Sequence, residues 1–152
     1  MSWTQCWTTL TQSNMAESSA HMEYVSMLGE FVKTRLSERE HIHILIDSPN
    51  SNDYPPQVIN NFRPDLYYLH DNTLVIGEAK TDADFDRPHS IEQYKSYLKE
   101  CESFPGTAYV VFAGSCRISA GFANLIRHIR RDESLTTRAI IINELGVFRE
   151  II

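Results

Sequence analysis

Positive charge, long apolar runs and paired cysteines are all scarce in this chain, and each shortage removes a class of protein. Fourteen Lys and Arg stand against twenty Asp and Glu, a formal net charge of -6. That is not the balance of a protein that coats nucleic acid by charge alone. No run approaches the roughly 18 apolar residues of a membrane span, and the amino-terminal Met1-Ser2-Trp3-Thr4-Gln5 is polar, uncharged and without the apolar stretch of a secretory leader. Neither membrane insertion nor secretion is expected, and the expected location is cytoplasmic. The three cysteines, Cys6, Cys101 and Cys116, form no Cys-x-x-Cys pair and read as reduced, buried small hydrophobes. The six glycines make no phosphate-cradling Gly-x-x-x-x-Gly-Lys loop, no dinucleotide fingerprint and no Gly-x-Ser-x-Gly nucleophile elbow.

What remains is a chain of 152 residues, 42% hydrophobic, enough for one core in a single domain spanning 1–152. Residues 1–13 read two ways: Trp3, Trp7 and Leu10 fit a helical stripe, while the threonines favour a short arm. From about Asn14, Met22, Val25, Leu28, Val32 and Leu36 mark one helical face, with Asn14 and Glu17 placed as a capping box. Ile42, Ile44 and Ile46 alternate as a strand. A loop rich in Pro, Asn and Asp runs from Ser48 to about Asn61. A helix beginning near Ser90 carries Ile91, Tyr94, Leu98 and Cys101. A fully apolar strand follows, Ala108–Ala113, then a helix capped by Ser119 and a closing strand, Ala139–Ile142. The alternation of strands and helices implies an α/β fold, a sheet flanked by helices.

The most informative segment is Arg63–Lys80. Two β-type runs are split by the turn-prone Asp71-Asn72, which predicts an antiparallel hairpin. With Asp71 and Asn72 as the loop, His70 faces Thr73, and continuing the register sets Asp65 opposite Glu78. Directly opposed residues have Cβ atoms roughly 4.5–5.5 Å apart, and the two-residue strand period puts Lys80 on the face of Glu78. Like charges facing each other destabilise a ladder, and carboxylates near a core are costly unless paired or metal-bound. A divalent cation between Asp65 and Glu78 offsets that repulsion, and oxygen-only ligation suits Mg²⁺ or Mn²⁺ rather than zinc. Lys80 beside such an ion can orient a water or stabilise charge on a phosphate. The competing reading makes Asp65 a turn residue and leaves Glu78 and Lys80 on a solvated edge.

Pro64-Asp65, then twelve residues, then Glu78-Ala79-Lys80, resembles the signature of the PD-(D/E)XK nuclease superfamily, the restriction-endonuclease-like fold. Ile76-Gly77-Glu78-Ala79-Lys80-Thr81 followed by Gln93 and Tyr97 is similar to its extended form. The resemblance implies a mixed central β-sheet flanked by helices in the order αβββαβαβ. It also implies Mg²⁺- or Mn²⁺-dependent hydrolysis of phosphodiester bonds, most readily in DNA. Asp65, Glu78 and the Ala79 carbonyl would hold metal, and Asp65, Glu78, Lys80 and Gln93 would serve catalysis.

Several positions carry two readings. Gln93 either points into the site, as in the family, or closes a capping box with Ser90. Where the family often has an acid on its first helix this chain has His21, so that role falls to His21, Glu17 or Glu23, against a capping box for Glu17 and a solvated face for Glu23. Arg127, Arg130 and Arg131, with Lys33, Arg35 and Arg39, either track a phosphate backbone or make solvated helix faces. His41 and His43 share a strand face but lack a third zinc ligand. A non-catalytic nucleic-acid-binding or assembly domain of the same fold is the alternative function, and a nuclease subunit that relies on a partner protein for specificity is a third. A homodimer is expected if both strands of a duplex are cut.

Overall fold

A computed structural model describes residues 3–36, 43–49 and 54–152, the side chains of 3–18 excepted. Helix α1 spans Trp3–Arg35, strands β1 Leu45–Ile46, β2 Leu66–His70 and β3 Thr73–Ala79 follow, and then come α2 Pro88–Glu102, β4 Thr107–Ala113, α3 Ser119–Asp132, β5 Arg138–Asn143 and β6 Gly146–Ile151. Among the described residues the six strands form one mixed sheet in the order β1-β2-β3-β4-β5-β6. The chain is thus α/β, with an open sheet flanked by three helices. No described helix is long and apolar enough to cross a membrane.

Strand alternation divides the core into two layers. Val75, Ala79, Val111, Ala113, Ile140 and Ile142 face α1, where Val25, Leu28 and Val32 pack on them. Leu74, Ile76, Val110, Phe112, Ala139 and Ile141 face the opposite way, against Tyr94, Tyr97 and Leu98 of α2 and Phe122 and Ile126 of α3. Both faces of the central strands are therefore apolar, as strands covered on two sides require. The three- and four-residue spacing of the α1 and α2 stripes matches the single face each helix buries.

The β2–β3 hairpin has the register read from the sequence: His70 pairs with Thr73 and Leu66 with Gly77. Asp71 takes a positive φ of 53° to close the turn, a conformation Asp tolerates better than most residues. β3, β4 and β5 run parallel, so the carboxyl ends of β3 and β4, at Ala79 and Ala113, lie along one sheet edge.

Four expectations are corrected. The first helix extends back to Trp3, so most of the 1–13 segment is helical and Asn14 lies inside the helix rather than at its start. A sixth strand, β6, follows a turn at Glu144-Leu145; its mostly exposed surface left no buried alternation to read. Ser119 is not the cap of α3, because Ile118 holds that position and the Ser119 hydroxyl instead donates to the Ser115 carbonyl at 3.0 Å. Cys116 is exposed in the loop after β4, whereas Cys101 is buried as expected. The Cys6 side chain, His41, Ile42 and Arg39 lie outside the described residues; His43 is exposed ahead of β1.

Candidate active site at the carboxyl end of β3

Asp65 stands one residue beyond the Leu66–Gly77 pair, in a bend where the β2 backbone leaves the ladder. The Ala79 N–H would otherwise lose its strand partner, and a buried amide needs one. Asp65 supplies it with a side chain: Oδ2 accepts from Ala79 N at 2.8 Å. Its other oxygen, Oδ1, lies 3.2 Å from His21 Nε2 on α1. The Asp65 backbone carbonyl accepts from Asp47 N at 2.9 Å, which ties the bend to the strand before it.

Glu78 shares the face of Leu74 and Ile76 and so lies under α2. It is buried, and one of its oxygens, Oε2, has no hydrogen-bond partner. The other, Oε1, lies 3.2 Å from Lys80 Nζ. Burial first and the Asp65 carboxylate second push the Glu78 carboxyl up to about 8, and Lys80 opposes the shift only in part. The Tyr97 hydroxyl is also buried and has no hydrogen-bond partner, and burial first and the Glu78 carboxylate second hold its pKa above the usual phenol range. Proximity of Asp65 thus disfavours the charged form of Glu78.

Lys80 bridges the sheet and α2. Its backbone N–H donates to the Ala113 carbonyl at 2.9 Å, holding the end of β3 against β4. Its ammonium donates to Gln93 Oε1 at 2.6 Å. The capping-box reading of Gln93 fails, because α2 starts two residues before Ser90, its cap is Arg87, and the Ser90 hydroxyl donates to the Asp84 carbonyl at 2.6 Å. Gln93 therefore belongs to the site.

Of the first-helix candidates with described side chains, His21 reaches Asp65; the contact raises its pKa above the ordinary imidazole value, against a smaller opposing effect of burial. Glu23 is exposed, and the Glu17 side chain lies outside the described residues. Arg127, Arg130 and Arg131 are not brought to the site. α3 begins at the site's edge of the sheet and runs back over its 14 residues, about 20 Å. Arg130 donates to the Thr136 carbonyl at 3.2 Å, Arg131 lies 3.4 Å from Asp132, and Arg127 donates to Asn124 at 3.2 Å. At the distal end of α1, Lys33 pairs with Glu30, and Arg35 pairs with Glu150 of β6.

Sequence reasoning missed a chain of contacts that joins the loops after β3 and β4. The Ser115 hydroxyl donates to Asp82 Oδ1 at 2.6 Å, and Arg117 Nε lies 3.0 Å from Asp82 Oδ2. Asp82 and Arg117, with Ala20, Tyr24, Thr81 and Ala83, line a cleft of about 240 Å³ on the α1 side of the site. Its only sequence signal is an acidic loop directly after the hairpin.

Among the described residues no group of three or more His, Cys, Asp and Glu is placed to hold a metal ion. The carboxylates present are two, Asp65 and Glu78, with an unpartnered buried oxygen on Glu78. Mg²⁺ is commonly held by one or two carboxylates, with waters and substrate phosphates completing its shell, so this donor set fits it; a structural zinc site would need three or four side chains. No family model, curated protein or solved structure matches the chain.

Proposed function

We propose that the chain is a Mg²⁺- or Mn²⁺-dependent nuclease of the PD-(D/E)XK type that hydrolyses phosphodiester bonds, in DNA in the first instance. The observation that carries this reading is the convergence of Asp65, Glu78, Lys80 and Gln93 at the carboxyl end of β3, with a buried Glu78 oxygen left unpartnered. The restriction-endonuclease-like fold belongs to the same proposal, supported by the flanking of a mixed sheet by α1 on one face and α2 and α3 on the other.

Asp65, Glu78 and the Ala79 carbonyl would hold the ion, which when bound polarises the phosphoryl oxygens and lowers the pKa of water. The remaining work falls to the chain. Lys80 Nζ, held by Gln93, orients the attacking water and donates to the developing negative charge on phosphorus-bound oxygen. The Ala79 amide and His21 hold the Asp65 carboxylate in one orientation, so that little reorganisation accompanies reaction. A bond forms from water oxygen to phosphorus, the bond to the leaving oxygen breaks, and the water proton ends on solvent or on the leaving group.

A second reading, a non-catalytic domain of the same fold, is favoured by one observation. Ion pairing with Lys80 and the raised Glu78 carboxyl already accommodate the acidic pair without a cation. Calorimetric titration with Mg²⁺ and Mn²⁺ separates the two. The nuclease reading expects binding that Glu78→Gln abolishes, together with nicking of supercoiled DNA that stops in EDTA. Absence of both binding and cleavage across duplex, single-stranded, supercoiled, branched and RNA substrates leaves the second reading.

A further inference from the structure

The reacting groups lie below the surface. Side-chain exposure is 11% for Asp65, 4% for Glu78 and 13% for Lys80, against 36% for His21 at the rim. A duplex is stiff on the scale of a protein, with a persistence length of roughly 50 nm, and presents its phosphates on a convex surface. An unpaired strand can turn one phosphate inward while its bases splay onto aromatic side chains.

Such side chains stand on the α2 side of the rim. His89 precedes Gln93 by one helical turn, so the two share a face of α2, and His89 is exposed where Gln93 is buried. The Phe62 ring meets the His89 ring edge-on, with centroids 5.4 Å apart and planes at 73°. A tight turn sets Phe62 there: Ile59 and Phe62 exchange both backbone hydrogen bonds, at 2.7 and 2.9 Å. The two residues between them, Asn60 and Asn61, hold φ of 49° and 69°. Both are asparagines, which tolerate the left-handed conformation that a tight two-residue turn asks of its central residues. Three residues after Phe62 comes Asp65.

We propose that the exposed His89 ring, braced edge-on by Phe62, is a base-stacking platform that makes the site selective for unpaired nucleic-acid strands, the base beside the scissile phosphate resting on the imidazole. This deepens the nuclease reading and rests on it for the position of that phosphate. The shared chemistry is a single-stranded polynucleotide, and DNA and RNA oligonucleotides are separate arms of the test.

Binding is measured in EDTA, apart from cleavage, by fluorescence anisotropy with a labelled single strand and the matching duplex, and by quenching of a 2-aminopurine base in the single strand. The unaltered protein should prefer the single strand and quench the probe. His89→Ala, at an exposed position, should weaken single-strand binding roughly 5- to 100-fold, relieve the quenching and leave duplex binding unchanged; His89→Tyr should restore both. Phe62→Ala should act in the same direction, with a thermal melt to confirm folding. Equal affinity for single strand and duplex, or single-strand affinity untouched by His89→Ala, overturns the platform. Cleavage of duplex with those results leaves the nuclease reading standing, whereas a His89-dependent preference without cleavage of any substrate in Mg²⁺ or Mn²⁺ overturns the nuclease reading alone. Failure to bind any nucleic acid overturns both.

Discussion

The Lys80 ammonium donates a 2.6 Å hydrogen bond to the side-chain oxygen of Gln93, which assigns Gln93 to the site and keeps Lys80 beside Glu78. The contact crosses from the end of a strand to the second turn of the helix that covers it. Its consequence is kinetic. Removing the charge altogether with Lys80→Ala should lower cleavage by roughly 10²–10³, the usual cost of losing one donor to developing charge. Gln93→Ala, which only releases the ammonium, should cost less. Both should leave metal affinity near that of the parent in calorimetry, and a Lys80→Ala protein that cuts at the parental rate removes Lys80 from the mechanism.

Glu78 makes the metal-free protein sensitive to pH. Its carboxyl is raised from 4.5 to about 8 in the folded state, so the native protein binds that proton more tightly than the unfolded chain does. The stabilisation is fully present below about 4.5 and is lost as pH rises through about 8. Melting temperature in EDTA should therefore fall across this window, and Glu78→Gln should flatten the decline. At pH 9 the substitution should stabilise the metal-free protein on the order of a few kcal/mol. Added Mg²⁺ should reverse the trend for the parent and not for the variant.

The His21–Asp65 contact has the opposite partner logic, since here the cationic form is favoured. His21 titrates above 6.5 when folded, mainly because the Asp65 carboxylate accepts a hydrogen bond from its protonated ring. The contact stabilises the fold fully below 6.5 and ceases to do so as pH rises through the folded value. NMR titration of the His21 ring should show the raised midpoint, and Asp65→Asn should bring it back toward 6.5. An unchanged midpoint in that variant would deny the contact.

Gly77 holds Glu78 in register by having no side chain. A Cβ there would stand 2.9 Å from Leu66 Cβ and 3.4 Å from Leu28 Cδ1, atoms of the facing strand and of α1 that cannot both retreat. Gly77→Ala should destabilise by about 1–3 kcal/mol, the cost of overpacking a filled core, measured by denaturant unfolding. Because the intrusion separates β2 from β3, loss of metal binding should accompany it.

The hairpin and its register were legible because they are local. Asp71-Asn72 closes a two-residue loop, and the β-type runs 66–70 and 73–79 that flank it do the rest. β6 was not legible, since Val147, Phe148, Arg149 and Glu150 are all exposed and leave no period to detect. Gln93 was ambiguous for a physical reason: Ser90-Ile91-Glu92-Gln93 satisfies the capping-box pattern, and only the extra turn beginning at Pro88 removes Ser90 from the cap. The basic residues of α3 looked like a phosphate track, but the direction of the helix carries Arg130 and Arg131 to its far end.

From the order of its residues alone this chain determines the hairpin register that sets Leu66 opposite Gly77 and so brings Asp65 to the strand end that holds Glu78, because strand pairing across a short turn depends on nothing beyond the hairpin. Tertiary packing decided what those carboxylates meet. His21 is 44 residues from Asp65 in the chain and Gln93 is 13 from Lys80; they reach the same strand end only because α1 and α2 cover opposite faces of one sheet. The same packing excludes water from Glu78 and sets Phe62 against His89, and neither burial nor ring contact is written in local pattern.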